Sequence, residues 1–330
     1  MYAYLLRRLL LIIPTFIGIS VITFSVVQLL PGSPVFLRLQ SASGMGSEEI
    51  SPEIIEQTKA LYGLDKPLPQ RYAIWLGKLV RLDFGMSYKD GRPVLDRIAE
   101  ALPITLQLNL ISLFLIYLLS IPIGVFSATH QHTRTDNAST FTLFLLYSLP
   151  DFWVAMLLIL FLGGGAYLDI FPIFGLSSIG AEDLSWPRWL LDRAWHLVLP
   201  VFCLSYASLS VLSRYARAGM IEVVRQDYIR TARAYGFKER VVIYRYALRN
   251  SLIPILTLLG TLLPALIGGS VIIESIFSIP GMGRLVFEAI LSRDYPVIMG
   301  SLTITALMTL VGLIISDVLY ALTDPRIRFE

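Results

Sequence analysis

Six apolar stretches decide what this chain can become. A bilayer core is about 30 Å thick and a helix rises about 1.5 Å per residue, so a spanning segment needs roughly 20 mainly apolar residues. Residues 9–30, 102–129, 138–163, 195–213, 252–276 and 297–322 all meet that requirement. With 55% hydrophobic and only 15% charged side chains in 330 residues, the chain lies outside the range of soluble globular domains. The spacing predicts an all-α integral membrane protein with six transmembrane helices.

The first run, "LLLIIPTFIGISVITFSVVQLL", follows Arg7 and Arg8 and so resembles a secretory signal. Its apolar stretch is too long for one and no small-residue cleavage site follows, so it is expected to remain as an anchor. Basic residues favour the cytoplasmic side, which predicts an inside N-terminus and, after six crossings, an inside C-terminus. The loops agree in sign. Residues 214–251 carry nine Arg or Lys against the three acids Glu222, Asp227 and Glu239, while 164–194 and 277–296 carry two basic residues each.

This division gives residues 1–30 as N-terminus and first helix, 31–101 as an extracytoplasmic helical subdomain, and 102–330 as a five-helix core with a cytoplasmic loop at 214–251. The 31–101 segment holds nine basic and nine acidic residues, and a loop of that length is translocated largely regardless of charge. Within it "SPEIIEQTKALYG" reads as a helix, with Ser51 at the N-cap, Pro52 in the first turn and Gly63 past the end. A second helix is expected over 69–82.

Several functions are excluded. The net charge of +3 is small and the basic residues are segregated, which argues against nucleic acid as a partner. The single Cys203 and the scattered His130, His132 and His196 lack metal-ligand spacing. Neither "GGG" at 163–165 nor "GMGR" at 281–284 has the spacing or the Lys-Ser/Thr pair of a phosphate loop, so the chain is not expected to hydrolyse ATP. No Ser-His-Asp or paired-carboxylate arrangement points to an enzyme, and no cofactor is expected in this chain.

The charge of the 214–251 loop has a topological explanation, but its pattern is finer than topology needs. Asp227 can cap a helix and Gly236 can end it, and Tyr228, Ala232 and Tyr235 at i, i+4 and i+7 fall on one face. This predicts a short helix presented to a partner, with small Ala232 and Gly236 permitting close approach and Arg230 and Arg233 available to acidic groups.

At "RTARAYG", Arg230 to Gly236, the chain resembles the inner-membrane permease subunits of ATP-binding-cassette importers for dipeptides, oligopeptides and nickel. In that family an "EAA"-type loop ends a short coupling helix with Gly and docks on a cytoplasmic ATPase. Arg230 replaces the Glu of the general pattern, and Tyr235 stands where Lys is common. The likeness extends along the chain through "YLLRRLLLIIPT", "VVQLLPGSP", "DFGMSY", "ALPITLQL", "ALRNSLIP", "GGSVIIESIFSIPGMGRL", "RDYPV" and "DVLYALTDPRI". The stretches "FLGGGAYLDIFPIFGL" and "SRDYPVIMGSL" look most like the Yej-type branch, which imports oligopeptides and microcin C. The resemblance implies location in a bacterial inner membrane. It also implies as partners a second homologous permease subunit, two cytoplasmic ATPase domains carrying ATP and Mg, an extracytoplasmic substrate-binding protein, and lipid.

Ionisable groups at membrane depth are costly and usually face a cavity or a partner. Asp151 follows Pro150, which can kink the third segment, and either faces the pathway or serves as a helix-cap carboxylate. Glu274, beside Gly268 and Gly269, is a gate candidate or joins the outer rim to the partner subunit. Asp317 and Tyr320, with Asp324 and Arg326 in "TDPRI", are expected to form a local polar clasp. The reading that follows is half of an ATP-driven import pathway for peptides, converting ATPase closure into alternating access. The rivals are a nickel permease of the same family and a proton-coupled secondary transporter using Asp151 and Glu274 as a relay.

Overall fold

The computed structural model describes residues 2–29, 65–163, 165, 167–252, 255 and 266–323, with side chains from Arg7 to Val318. Among the described residues there is no strand, only an isolated antiparallel bridge between Met86 and Pro93. The helices are α1 (Tyr2–Leu29), α2 (Leu68–Val80), α3 (Val94–Thr129), α4 (Arg134–Ser148), α5 (Asp151–Leu158, continued by a π-helical turn Ile159–Gly163), α6 (Trp186–Val224) and α7 (Asp227–Ala234). Residues 239–251 form α8, whose middle, Val242–Ala247, is π-helical. Then come α9 (Val271–Ile276), α10 (Met282–Leu291) and α11 (Tyr295–Thr323).

Four helices are long and apolar enough to cross a membrane, over Arg7–Leu29, Val94–Thr129, Trp186–Val224 and Tyr295–Val318. A fifth crossing follows if α4 and Asp151–Gly163, bent by 99° to each other, form one span. The middle of the fifth expected run, 252–276, lies outside the described residues, as does the helix expected at 51–63. The second outer helix appears as α2.

Two helices exceed what the bilayer requires. With 36 and 39 residues, α3 and α6 are about 54 and about 58 Å long and must project beyond a core of about 30 Å. They pack against each other, and Gly124 shows how closely: a Cβ there would come within 2.7 Å of the Ser213 carbonyl and 2.9 Å of the Arg217 amide. Only glycine allows that approach.

The projecting ends are fixed by buried carboxylates. At one end Asp294, fully buried, accepts from the Ser87 hydroxyl and from the Tyr88 amide at 2.9 Å, with Arg97 Nη1 3.6 Å away. Around it Phe24, Leu79, Phe84, Ile98, Met282 and Ile298 form an apolar core that joins α1, α2, α3, α10 and α11. At the other end Asp136 is 2% exposed and takes a two-pronged contact from Arg217, Nη2 at 2.9 Å and Nε at 3.2 Å. The Ser127 hydroxyl and the His132 amide also donate to it. Arg217, one of the basic residues behind the expected cytoplasmic position of the loop, is thus also an internal tie between α4 and α6.

Candidate functional site

The basic 214–251 stretch is not all loop: through Val224 it continues α6, and the chain leaves that helix only at Arg225. The short helix α7 starts one residue earlier than a capping Asp227 would require: Gln226 occupies the N-cap, its carbonyl accepting the Ile229 and Arg230 amides, and Asp227 lies in the first turn. Asp227 reaches only the exposed Arg230, at 3.6 Å. The carboxylate still favours the helix N-terminus through the macrodipole. The other end behaves as expected. Gly236 adopts φ +79°, its amide donates to the Arg233 carbonyl at 2.9 Å and the Phe237 amide to the Ala232 carbonyl at 3.4 Å, which closes the helix in a Schellman turn.

The expectation that Tyr228, Ala232 and Tyr235 share a face open to a partner needs correction. Ala232 is buried and, with Ile229, packs on Val125, Ala128, Met220, Val242 and Ile243 of the same chain. Its small size lets α7 sit on α3, α6 and α8, not on another protein. Tyr235, three residues on and past the last helical turn, is 81% exposed; Tyr228 and Phe237 are also exposed. The Tyr228 hydroxyl accepts from Asn250 Nδ2 at 2.8 Å. Arg233 grips Glu239 across the turn, Nη2 to Oε1 at 2.6 Å and Nε to Oε2 at 3.2 Å, and this hydrogen bonding holds the Glu239 carboxyl below its ordinary range. The outward rim is therefore Tyr228, Arg230, Tyr235 and Phe237 on a helix whose other side is sealed.

A second feature lies at the 99° bend. Pro150 forms the N-cap of α5 and Asp151 opens it, exposed and without a side-chain cap bond. Pro150 has no N–H to carry the α4 hydrogen-bond ladder on, and Tyr206 of α6 donates to the Leu149 carbonyl at 2.7 Å. That hydroxyl also lies beside the Asp151 carboxylate.

Sequence comparison bears on what these features serve. Residues 120–329 match the family described as "Binding-protein-dependent transport system inner membrane component", and 1–109 match the N-terminal part of such membrane components. The chain belongs to this family. The oligopeptide transport system permease protein AppB of Bacillus subtilis is 42% identical over 330 residues, covering 100% of both chains. The inner membrane ABC transporter permease protein YejB of Escherichia coli O157:H7 is 36% identical over 362 residues, and the dipeptide transport system permease protein DppB of Escherichia coli K12 is 35% identical over 346, again covering 100% of each chain. The Yej type is thus among the relatives, at lower identity than AppB.

In this permease Glu274 is 1% exposed and saturated by its own chain. Thr105 Oγ1 donates to Oε1 at 3.0 Å, the Ser270 amide to Oε1 at 3.3 Å and the Arg284 amide to Oε2 at 2.9 Å, while the Thr105 hydroxyl accepts the Met282 amide at 2.8 Å. The carboxylate joins α3, α9 and the start of α10, and the glycines beside it leave it room: a Cβ at Gly281 would come within 2.6 Å of Glu274. Asp317 pairs with Arg8 at 3.1 Å, tying the last helix to the first, so the clasp is not confined to the 317–326 stretch. The Tyr320 side chain, Asp324 and Arg326 lie outside the described residues. Asp136 and Asp294 were not singled out from sequence; the signal was there, an acid adjoining an apolar run in "RTDN" and in "RDYPV".

Proposed function

We propose that this permease subunit forms half of the translocation path of an ATP-driven importer for oligopeptides or related peptide compounds, and that the outward rim of α7 receives the movement of a cytoplasmic ATPase. The observation that carries this reading is the construction of α7. A helix that buries Ile229 and Ala232 on α3, α6 and α8 while holding Tyr228, Arg230, Tyr235 and Phe237 outward passes a push to the spans instead of absorbing it. The peptide names of the relatives supply the substrate class. The charge bias of the loops supports a cytoplasmic position for α7 and both termini and an outer position for the 31–101 segment, where it would face a substrate-binding protein. A second homologous permease completes the path, and ATP and Mg belong to two ATPase domains. Asp151 is a pathway residue on this reading, because an ionised carboxylate facing hydrocarbon costs a few kcal/mol.

The test is uptake of short peptides into proteoliposomes holding the permease pair and ATPase, with binding protein outside and the proton gradient collapsed. ATP-dependent uptake is expected. Uptake that ignores ATP and stops when the gradient is collapsed would establish a proton-coupled transporter instead.

A further inference from the structure

Between α4 and α6 lies a cavity of about 530 Å³, inside the range of small-ligand sites. Leu143, Phe144 and Tyr147 line it from α4, and Val211, Arg214 and Tyr215 from α6. All of these but Leu143 are exposed, so the cavity opens along the side of the helix pair. The Arg214 guanidinium lies over the Phe144 ring, 4.3 Å from its centroid, and among the described residues no carboxylate comes within ion-pair distance of it. Neighbouring Arg217 also borders the cavity but is committed to Asp136 at 2.9 Å. The Arg214 charge is left unanswered.

Both helices fix the depth of this cavity in the bilayer. Arg214 is the first charged residue after the apolar run 195–213, and Asp136 is the last before the run that starts at 138. The Arg217–Asp136 contact brings these two polar margins level with each other. From Asp136, Phe144 and Tyr147 lie about two and about three turns along α4, inside its apolar run. The cavity therefore begins at the polar margin, with a cation there, and continues between apolar walls toward hydrocarbon. On the topology proposed above, that margin belongs to the inner leaflet. Its occupant must join an anionic head to an apolar body. A free anion would answer Arg214 but leave Leu143, Phe144 and Val211 facing water.

We propose that this cavity binds an anionic phospholipid of the inner leaflet, with the phosphate on Arg214 and the upper part of an acyl chain along Leu143, Phe144 and Val211. Basic pockets between membrane helices at the cytoplasmic face take headgroups in this way. Tyr147 and Tyr215 suit the same position, because tyrosine settles where one end of a side chain is apolar and the other wet. The lipid wedges between two helices that the buried Arg217–Asp136 pair already joins, so its binding stabilises the folded chain by mass action.

The experiment uses the importer purified in detergent, full-length and with the subunits that accompany it, then stripped of native lipid. Its melting temperature is followed at constant ionic strength against short-chain phosphatidylglycerol, phosphatidylcholine with the same chains, and sodium phosphate. A charged hydrogen bond to one guanidinium corresponds to about tenfold in affinity. The parent is expected to show a saturable rise with phosphatidylglycerol, at about tenfold lower concentration than with phosphatidylcholine, and no rise with sodium phosphate. Arg214→Gln should raise the half-saturating phosphatidylglycerol concentration about tenfold, and Arg214→Lys should restore most of the preference. Val211→Trp, which fills the cavity and keeps the charge, should abolish the saturable phase, whereas Arg240→Gln, which removes an exposed cation outside the cavity, should change nothing. Equal phosphatidylglycerol curves in the parent, Arg214→Gln and Val211→Trp would overturn the proposal. So would a rise given by sodium phosphate alone, since the occupant would then be a free anion. If Arg214→Gln releases a companion subunit while phosphatidylglycerol leaves the parent unmoved, a protein covers the cavity and the lipid assignment is wrong.

Discussion

Asp294 and Glu239 each receive an arginine, yet the two contacts do different jobs. Asp294 is fully buried beside a mostly buried Arg97 and also collects the Ser87 hydroxyl and the Tyr88 amide, so one carboxylate holds the 85–97 segment to the start of α11. Glu239 and Arg233 lie on the arm with 61% and 41% of their side chains exposed. The first contact cannot open without stranding several polar groups away from water. The second exchanges readily with solvent, and the arm's position comes instead from Ile229 and Ala232 beneath it. Rigid joints in this permease are built from buried carboxylates, and the surface left for a partner is built from exposed charge and aromatic rings.

The largest test of that contrast is Asp294→Ala. Removing the anion leaves the Ser87 hydroxyl and the Tyr88 amide without their acceptor and takes from Arg97 the buried one of its two carboxylates, Asp90 remaining at 3.5 Å, and breaking a buried pair in this way costs up to about 3–5 kcal/mol. Detergent-purified permease should lose most of its thermal stability. A melting temperature like the parent's would place Asp294 with Glu239, among contacts that hold nothing.

Glu274→Gln should follow. Both carboxylate oxygens already accept donors, so one end of the amide must turn its N–H₂ toward another donor, at a cost of about 1–3 kcal/mol for the bond lost. A conservative change should therefore lower the melting temperature clearly, and a neutral result would mean that Glu274 is protonated or poorly engaged.

Gly236→Val is next, and its burden is conformational. A Cβ at Gly236 meets nothing within 4 Å, but φ +79° is costly for a β-branched residue, at about 1–3 kcal/mol. The expected result is an intact, inserted permease whose binding protein no longer stimulates ATP hydrolysis. Normal coupling would show that the Schellman turn does not set the rim.

Smallest is the Arg233–Glu239 pair, worth about 0 to 1 kcal/mol as an exposed bridge. Its hydrogen bonding depresses the Glu239 pKa below the ordinary 4.5, so its contribution is complete above that value and lost as pH falls through the lower folded value. Between about pH 5 and about 8, ATPase association should be the same with and without Arg233→Gln. A constant deficit in Arg233→Gln across that interval would mean the arm depends on this pair after all.

Four of the six expected spans, and a fifth if the bent pair is one crossing, were legible, because a run of about 20 apolar residues has few alternatives to a helix in lipid. The bend was half legible: Pro150 favours a break, as Pro14, Pro103, Pro122 and Pro200 inside other helices show it does not compel one, and neither the 99° angle nor Tyr206 on the Leu149 carbonyl follows from spacing. The arm's helix and its glycine stop were readable from local grammar, whereas the face of Ala232 was not. Spacing puts Ala232 in line with two exposed tyrosines, and only the packing of α3, α6 and α8 beneath it decides which side is sealed. The partners of Asp317 and Asp294 lie some 300 and 200 positions away, so no local pattern could name Arg8 or Ser87.

Whether the outward rim of α7 meets an ATPase can be measured directly. In a background with Cys203→Ser, single cysteines at positions 230, 232 and 235 are treated with a short bifunctional thiol reagent in membranes that also hold ATPase with one surface cysteine beside its docking cleft. Position 235, and to a lesser degree 230, should cross-link to the ATPase, and position 232, sealed against Met220 and Val242, should not. Efficient cross-linking from 232, or none from 230 and 235 in an assembled complex that hydrolyses ATP, would contradict the account.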